Sequence, residues 1–454
     1  MKKIKNRAIA VLLLAAFMVL GLMLFVGRLA INGSAWAAVA AAQGTGVSGG
    51  AVNAIGTLTD RNGVVLAGID DGRRSFAKGA ELRKATLHTV GDRAGNIGTG
   101  ALRVFASDLI GYNFFTGAYS RDGEGNTVAL TIDSGLNLAA YKALDGRRGA
   151  VMVMDYTTGE ILCMVSNPAF DPVEPPKNID GNPAYEGVYL NRAISAVYTP
   201  GSVFKLLTAA AAIEKIPDID DRVFNCEGTL DTGHGTIKCS GVHGELSFRD
   251  AFAVSCNSAF GEMALLLGAD VLNGYAAKYG FTEKTSVGGV ATARGSFAKA
   301  EPDTADLAWS GVGQHGDTVC PAAILRFVGA IANGGVAAKM EVRAKGGLSG
   351  FFSKLPLFSG DRIMRKDTAE QLAEMMGYNV AKSYGAANFP GLELHAKTGT
   401  AEVGSAVKPH SWFAGYITNE GKPLAFVVVV ENGGSGISAA APVANKVLQR
   451  AISG

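Results

Sequence analysis

A serine and a lysine three residues apart could together form a nucleophile and its base. They are Ser202 and Lys205, in segment 199–205, where Pro200 and Gly201 favour the start of a helix. Side chains three residues apart on a helix share one face. A serine hydroxyl attacks poorly at neutral pH unless a base takes its proton. Lysine can be that base only if its pKa falls from about 10.4 to about 7, which costs about 4 kcal/mol and requires burial and a second cation nearby.

Two further short motifs carry side chains that suit the same chemistry. The first is Ser255-Cys256-Asn257, which follows an apolar segment and is predicted to lie in a loop between helices. Its serine can pass a proton, and its asparagine can bind an amide of a substrate. The second is Lys397-Thr398-Gly399-Thr400, which we expect on an edge strand, where glycine lets a ligand approach the backbone and the hydroxyls can bind a carboxylate. Each motif alone is too common to indicate a function.

The order of the three motifs makes them specific. Ser-x-x-Lys, Ser-x-Asn and Lys-Thr-Gly in this order resemble the signature of the penicillin-recognising serine acyltransferases. From residue 55 onward the sequence is most similar to class B penicillin-binding proteins, which are serine D,D-transpeptidases. The supporting segments are 56–67, 158–162, 166–172, 191–193, 313–314, 330–335 and 410–416.

The resemblance implies a reaction and a role for each polar side chain. Ser202 would attack the D-Ala-D-Ala amide of a peptidoglycan stem peptide, the terminal D-Ala would leave, and an amine from a neighbouring stem peptide would resolve the acyl-enzyme. Lys205 would be the base for acylation, while Ser255 and Lys397 would pass the proton to the leaving amine. β-Lactams would acylate the same serine because they imitate the dipeptide. The resemblance implies no cofactor and no catalytic metal.

The same resemblance assigns the groups that bind the substrate. Asn257 would bind the substrate backbone, and Thr398 and Thr400 would hold its terminal carboxylate, with Gly399 between them leaving room for the ligand. The backbone N–H groups of Ser202 and Thr400 would form an oxyanion hole, in which each donor is typically worth a few kcal/mol.

The elements that must position these residues are predicted from periodicity. Two β-hairpins are predicted, one over 149–165 and one over 412–431, with mostly helical segments between them. The predicted helices are 135–144, 202–215, 248–267, 321–333, 368–380 and 439–452. This pattern predicts an α+β fold, in which one antiparallel sheet is flanked by helices and lies beside a helical lobe. The resemblance implies that this is the fold shared by D,D-peptidases and β-lactamases.

The N-terminal sequence predicts a membrane anchor. Residues 8–26 carry no charge and are about long enough to span a bilayer as a helix. Four cations precede this run and only Arg28 closely follows it, which predicts a cytoplasmic N-terminus and an extracytoplasmic catalytic domain. The four cations are Lys2, Lys3, Lys5 and Arg7. A cleaved signal peptide is the alternative, with a cleavage site at 35–37, but its apolar region would be unusually long.

The resemblance and the apolar run together imply a protein of the bacterial cell membrane, and we expect four regions along its chain. Residues 1–30 form the cytoplasmic tip and transmembrane anchor, and residues 31–53, rich in Ala, Gly and Ser, form a linker. Residues 54–126 form a small non-catalytic pedestal with short strand-like segments and a turn at Asn62-Gly63, and residues 127–454 form the transpeptidase domain. The resemblance also implies a candidate partner, a membrane glycosyltransferase.

Charge and cysteine content exclude some classes of protein and leave one question open. The formal net charge of +2 over 454 residues gives no indication of a nucleic-acid surface. Cys226 and Cys239 flank a turn-rich segment and could form a disulfide, or could equally be two unpaired thiols. A zinc site that adds His234 and His243 is a further alternative, but these spacings fit no common ligand pattern.

Three other activities are compatible with some of these motifs. A D,D-carboxypeptidase would differ only in using water as the acceptor, so product analysis is needed to separate it from a transpeptidase. A β-lactamase is disfavoured because an anchor and a pedestal-like segment do not suit a secreted hydrolase. A β-lactam sensor predicts a cytoplasmic signalling module, whereas only a few residues precede the predicted anchor in this sequence.

Overall fold

The computed structural model describes residues 2–44, 56–71, 73–110, 125–344, 360–404 and 406–453. Its first element is a long helix, α1 (Lys2–Gly44). Within it, Ile4–Arg28 is long and apolar enough to cross a membrane. Residues 31–44 of the predicted linker are therefore helical, because their alanine-rich sequence has high helix propensity. Residues 45–53 of that linker lie outside the described residues.

The small module that follows α1 combines one sheet with short helices. Its strands are β1 (Thr57–Thr59), β2 (Val65–Asp70), β3 (Arg73–Phe76) and β4 (Thr127–Ala129), and its helices are α2 (Ala80–Val90), α3 (Ala101–Val104) and α4 (Ala106–Ile110). The predicted turn between β1 and β2 is present, because the Asp60 carboxylate accepts hydrogen bonds from two turn N–H groups. Residues 80–90, 101–104 and 106–110 are helical, although this region was predicted to be strand-like.

The sheet of this module does not end at the predicted boundary after residue 126. β4 pairs in parallel with β1, at the edge of a sheet with the order β3-β2-β1-β4. The first strand that the sequence assigned to the transpeptidase domain thus belongs to the sheet of the small module. The sheet therefore extends past the predicted boundary.

The rest of the chain alternates between a central sheet and a helical lobe. The helices are α5 (Ser134–Leu144), α6 (Arg192–Ser195), α7 (Lys205–Lys215), α8 (Phe248–Ala253), α9 (Asn257–Leu267), α10 (Ala269–Lys278), α11 (Ala305–Val312), α12 (Pro321–Ala332), α13 (Lys366–Asn379) and α14 (Gly436–Ser453). The strands are β5 (Gly149–Asp155), β6 (Ile161–Asn167), β7 (Val223–Cys226), β8 (Thr229–Asp231), β9 (Thr236–Lys238), β10 (Gly244–Ser247), β11 (Ser286–Val287), β12 (Val290–Ala291), β13 (Val336–Ala338), β14 (Gly360–Arg362), β15 (Leu394–Ala401), β16 (His410–Ile417) and β17 (Leu424–Val430).

The predicted antiparallel sheet is confirmed, with five strands in the order β15-β16-β17-β5-β6. Both predicted hairpins are present, and β17 joins them by pairing with β5, from Leu424 opposite Asp155 to Val430 opposite Gly149. The last strands of the chain therefore lie beside the first strands of the domain. β15 lies at one edge, where one side of its backbone is free to contact a ligand or another element.

Alternating side chains of the central strands enter two separate cores. Val428 packs in one core with residues of α5 and α14, whereas Val427 and Val429 pack in the other with residues of α12. This division follows from the two-residue period of a strand. Helices cover both faces of the sheet, which explains why β17 is buried along its whole length.

The helical lobe contains one break where a single helix was predicted. The segment 248–267 divides into α8 and α9, and Ser255, between them, has a φ of 55°. Cys256 then caps α9 by accepting a hydrogen bond from the Ala259 N–H. This break places Ser255 and Asn257 on either side of a helix start, as expected for a motif in a loop between helices.

Candidate active site

The turn that carries Ser202 lies against the edge strand β15. Gly201–Val203 forms a 3₁₀ turn, and α7 begins at Lys205. Gly201 has a φ of 56°, and a Cβ at this position would lie 2.5 Å from the Thr400 carbonyl oxygen. Only glycine permits this conformation and this approach together. Gly201 therefore brings the first motif into contact with the third.

Lys205 connects the first motif to the second. Its side chain is fully buried, and its Nζ lies within hydrogen-bond distance of three oxygens: the Ser255 carbonyl oxygen at 2.6 Å, Ser255 Oγ at 3.1 Å and Asn257 Oδ1 at 2.8 Å. These three acceptors hold the amine at the helix break. Ser202 lies in the turn immediately before the same helix, so its hydroxyl and this amine belong to one rigid unit.

Lys397 connects the third motif to the second. It is also fully buried, and its Nζ donates to Ser255 Oγ at 2.9 Å and to the Thr398 carbonyl oxygen at 3.3 Å. The Ser255 hydroxyl therefore lies within hydrogen-bond distance of both lysine amines. A hydroxyl can both accept and donate a proton, so this arrangement is suited to proton transfer between Lys205 and Lys397.

The burial of two lysines around one hydroxyl disfavours their charged forms. The pKa of Lys205 is lowered well below its usual value, first by burial and then by the charge of Lys397. Burial lowers the pKa of Lys397 to about 7. Because two ammonium groups so close together repel each other, we expect Lys205 to be the neutral partner near pH 7. A neutral Lys205 can take the proton of a serine hydroxyl.

The backbone of β15 directs alternate N–H groups away from the sheet. The Thr398 N–H donates to the Tyr384 hydroxyl at 2.8 Å and so points away from β16. Residues two apart on a strand direct their N–H groups to the same side, so the Thr400 N–H also faces the open edge. The Thr400 carbonyl faces that edge as well, since it lies next to Gly201. The open N–H of Thr400 and the turn of Ser202 thus face each other.

The side chains predicted to bind substrate lie around this edge. Thr400 is exposed, and its hydroxyl accepts a hydrogen bond from the Gly436 N–H at 3.3 Å. Gly399 is buried, and a Cβ on it would lie 2.8 Å from the Pro200 carbonyl oxygen. The Asn257 amide nitrogen donates to the Lys238 carbonyl oxygen at 3.0 Å, which fixes the orientation of that side chain.

The Ser202 hydroxyl is partly exposed and makes no hydrogen bond to any residue that the structure describes. A nucleophile often lacks its productive hydrogen bond until substrate is bound. The eight candidate residues are therefore brought together around one edge of the sheet. They are Ser202, Lys205, Ser255, Asn257, Lys397, Thr398, Gly399 and Thr400.

Two residues that support this site were not identified from the sequence. Tyr384 bonds to the Thr398 hydroxyl at 2.9 Å as well as to its N–H, and the Trp412 indole N–H donates to the Thr199 carbonyl oxygen at 3.0 Å. Trp412 belongs to the segment 410–416 that supports the resemblance, but no role was predicted for it. No local pattern reveals either contact, because each joins residues of different elements, 14 and 213 positions apart.

Of the three sequence alternatives for Cys226 and Cys239, the structure agrees with two unpaired thiols and not with the disulfide. All five cysteines are free thiols, so Cys226 and Cys239 do not form a disulfide. His234 is exposed and lies on the loop before β9, whereas His243 lies beside both of these cysteines. A third cysteine, Cys256 of the second motif, completes a group of four potential ligands with Cys226, Cys239 and His243.

Comparison with known proteins agrees with this geometry. Residues 149–449 match the penicillin-binding protein transpeptidase domain family. Peptidoglycan D,D-transpeptidase PbpA of Mycobacterium tuberculosis (strain ATCC 25618 / H37Rv) is 30% identical over 379 residues, covering 75% of each chain. The imipenem acyl-enzyme complex of penicillin-binding protein A from M. tuberculosis is a structural neighbour with a TM-score of 0.74 and 26% identity, covering 88% of this chain and 99% of that one.

A second solved structure, from a different organism, gives the same result. The D,D-transpeptidase domain of a peptidoglycan glycosyltransferase from Eggerthella lenta has a TM-score of 0.71 and 26% identity, covering 88% of this chain and 98% of that one. The matched family covers the three motifs, the five-stranded sheet and the helical lobe. This chain belongs to the penicillin-binding protein transpeptidase family, as a class B penicillin-binding protein.

Proposed function

We propose that this protein is a peptidoglycan D,D-transpeptidase that uses Ser202 as its nucleophile and is acylated by β-lactams at the same residue. The observation that carries the proposal is the hydroxyl of Ser255, which lies within hydrogen-bond distance of both buried lysines. Relatives named peptidoglycan D,D-transpeptidase, and neighbours solved as β-lactam acyl-enzymes, support the same activity.

In the proposed first step, Ser202 Oγ attacks the carbonyl carbon of the penultimate D-Ala, and Lys205 takes the hydroxyl proton. The N–H groups of Ser202 and Thr400 stabilise the developing oxyanion. The peptide bond then breaks, and the amine of the terminal D-Ala leaves with a proton supplied through Ser255 and Lys397. The product of this half-reaction is an ester between Ser202 and the stem peptide.

In the second step, an amine from a neighbouring stem peptide attacks the ester, loses a proton to the same relay and forms the cross-link, which frees Ser202. Asn257 holds the backbone of the donor peptide in both steps, whereas the hydroxyls of Thr398 and Thr400 hold the carboxylate of the terminal D-Ala in the first step, before that residue leaves. Gly399 keeps the space beside the strand open. All of these roles depend on a substrate bound along the outer edge of β15.

We further propose the membrane arrangement predicted by the sequence. The helix segment Ile4–Arg28 anchors the chain, its cationic N-terminal end lies in the cytoplasm, and the domain 127–454 lies outside, with the small module 54–126 between them. A membrane glycosyltransferase is the proposed partner, because cross-linking requires glycan strands to be present. A reporter enzyme that is active only outside the cytoplasm should be active when it is fused to the C-terminus of the full chain. An inactive reporter would contradict the proposed topology.

The decisive experiment analyses the products formed from a lipid-linked glycan polymer with pentapeptide stems. The purified full chain should release D-Ala and form cross-linked dimers in comparable amounts, as measured by mass spectrometry. Ser202→Ala should abolish both products and labelling by a fluorescent penicillin, whereas Ser453→Ala, at an exposed position near the C-terminus, should change neither.

Two results would contradict the proposal in different ways. Release of D-Ala without any dimer would indicate a D,D-carboxypeptidase. Penicillin labelling that persists in Ser202→Ala would disprove the assignment of the nucleophile.

A further inference from the structure

Four side chains with metal-ligating atoms converge beside the Ser255 loop. The sulfur atoms of Cys226, Cys239 and Cys256 and a ring nitrogen of His243 all lie within 4.8 Å of one another. They come from three places: the end of β7, the connection between β9 and β10, and the N-terminal cap of α9. We call these four residues the thiol–histidine cluster.

The spacing of the ligand atoms agrees with tetrahedral coordination. In a regular zinc site, sulfur at about 2.3 Å and nitrogen at about 2.0 Å from the ion stand about 3.8 Å apart for two sulfurs and about 3.5 Å apart for a sulfur and a nitrogen. Here Cys239 Sγ lies 3.8 Å from Cys256 Sγ, and His243 Nδ1 lies 3.4 Å from Cys226 Sγ and 3.5 Å from Cys239 Sγ. An ion would need to draw the remaining atoms together by no more than about 1 Å.

Two backbone N–H groups at the start of α9 point at sulfur atoms of the cluster. The Asn257 N–H points at Cys239 Sγ at 3.2 Å, and the Ala259 N–H points at Cys256 Sγ at 3.4 Å. Such N–H donors stabilise negative charge on sulfur, and here they belong to the first turn of a helix. Cys226 and Cys256 are fully buried, so an ion held by them would be shielded from water.

A simple disulfide accounts for only part of this arrangement. A bond between Cys239 and Cys256 would involve two of the four side chains. It would not explain why Cys226 and His243 lie beside them. The other two cysteines give a contrast within the same chain. Cys163 and Cys320 are buried singly and belong to no such group of ligands in the part of the chain that the structure describes.

We propose that Cys226, Cys239, His243 and Cys256 bind one zinc ion. Three thiolates and one imidazole in a tetrahedral arrangement suit zinc better than magnesium or calcium, which prefer oxygen ligands. Because the protein supplies all four ligands, the ion has no open position for substrate and has a structural role. The site is therefore separate from the reaction chemistry, for which the sequence implies no metal.

The zinc ion would also position the second motif, a consequence that rests on the proposed transpeptidase function. Cys256 lies between Ser255 and Asn257 in the chain, and Cys239 Sγ accepts the Asn257 N–H. The Asn257 side chain in turn bonds to the carbonyl of Lys238, next to Cys239. Fixing Cys239 and Cys256 on one ion thus fixes the two residues that hold Lys205.

The first test is the metal content of the full chain, purified in detergent under reducing conditions without added metal. Mass spectrometry of the elements should find about one zinc per chain. Cys226→Ser and His243→Ala should lower the zinc affinity by at least about tenfold. His243→Cys keeps a ligand atom and should keep the zinc. Cys163→Ser and Cys320→Ser, which change buried cysteines outside the cluster, are the matched controls and should also keep it.

The second test separates the metal site from the catalytic proposal. Removing zinc with a chelator from the reduced wild-type chain should slow acylation by fluorescent penicillin by about tenfold, and zinc chloride alone should restore it. Ser202→Ala should lose acylation but keep zinc, so failure of either proposal would be visible separately. If a cluster variant does not fold, cobalt added to the metal-free wild-type chain should still give the absorption of a thiolate–cobalt bond.

Two results would overturn the proposed zinc site, and a third would overturn its positioning role. The first is a wild-type chain that contains no metal under reducing conditions and does not bind added zinc or cobalt. The second is a Cys239–Cys256 disulfide found by peptide mass spectrometry in the chain as isolated. The third, which would remove only the positioning role, is acylation that is unchanged after zinc has been removed.

Discussion

At the scale of single residues, the hydroxyl of Ser255 lies between the two lysines that are proposed to transfer protons. Lys205 and Lys397 are both fully buried and both donate to this one oxygen. Burial disfavours the charge on each amine, and the charge of Lys397 further disfavours that of Lys205. One buried cation is therefore a means of keeping the other amine neutral, as a base for Ser202 must be.

This electrostatic coupling can be measured from the pH dependence of acylation. The rate of acylation by penicillin should rise with pH as Lys205 loses its proton. Lys397→Met removes the neighbouring charge, which raises the pKa of Lys205, so the rising part of the profile should move to higher pH. Lys397→Arg keeps the charge and should leave the midpoint near its original position. An unchanged midpoint in Lys397→Met would show that the two amines are not coupled.

The hydroxyl of Tyr384 offers a second test at this scale. Tyr384→Phe leaves the Thr398 N–H and hydroxyl without their partner, and losing such a buried bond typically costs about 1–3 kcal/mol. We expect a lower free energy of unfolding in urea and weaker acylation, because Thr398 is a proposed carboxylate ligand. Tyr156→Phe is the control, since the Tyr156 hydroxyl makes no hydrogen bond to the described residues. Equal effects of the two substitutions would contradict this role.

At the scale of elements, the site depends on two departures from regular structure. The 3₁₀ turn Gly201–Val203 precedes α7, and the break at Ser255 separates α8 from α9. Each departure places a backbone with positive φ at or beside a side chain with a proposed catalytic role. Such conformations persist only where the surrounding structure enforces them, and they are common at functional sites.

Gly201→Ala should disturb the first of these departures. An added Cβ would meet the Thr400 carbonyl oxygen at 2.5 Å while φ is 56°, so the turn would have to move away from β15. We expect a loss of stability of about 1–3 kcal/mol and a loss of acylation greater than tenfold. Gly421→Ala is matched, because Gly421 has a φ of 68° and open space at its Cβ position. Similar acylation rates in both variants would show that the close approach to Thr400 is unimportant.

At the scale of the whole molecule, the small module and the transpeptidase domain share one hydrophobic core. Leu58 and Leu66 of the small module belong to the same cluster as Met152 of the central sheet. Arg83 of α2 also makes a bidentate pair with Asp171, with distances of 2.7 and 2.6 Å. Because the contacts are both apolar and ionic, we expect the two regions to unfold together in a single transition.

The Arg83–Asp171 pair should contribute measurably to that transition. Asp171→Asn should lower the free energy of unfolding at neutral pH by about 1–3 kcal/mol, since both side chains are mostly buried. The hydrogen bonds from Arg83 lower the pKa of Asp171, so its contribution is present above about pH 4 and is lost as the pH falls through the folded-state pKa. The difference between wild type and variant, measured by urea unfolding, should therefore shrink in acid.

A surface pair gives the control for this measurement. Arg61 and Glu160 lie 3.4 Å apart, but about a third of each side chain is exposed. Glu160→Gln should change the stability by less than about 1 kcal/mol, because water screens exposed pairs. Separate unfolding of the small module in wild type would contradict the shared core.

The sequence by itself determined the features that depend on neighbouring residues. The alternation of 149–155 and 424–430 predicted strands, the apolar run 8–26 predicted a membrane-spanning helix, and three short motifs in order indicated the chemistry. Each of these signals follows from a local rule of strand period, helix length or residue type. The strand-like pattern predicted for the small module was wrong for residues 80–90, 101–104 and 106–110, which are helical, and residues 31–44 of the predicted linker are helical as well.

Only the tertiary structure decided which distant residues meet. Lys397 reaches Ser255 across 142 positions of the chain, and Tyr384 reaches Thr398 from a separate turn. The cysteine residues show the difference most clearly. Their spacing alone left open a disulfide, two unpaired thiols or a zinc site with His234 and His243. Folding of β7, β9, β10 and α9 against one another instead placed His243 and Cys256 beside Cys226 and Cys239, and His234 does not belong to this group. Contacts of this kind arise from the packing of whole elements, and a one-dimensional pattern does not contain them.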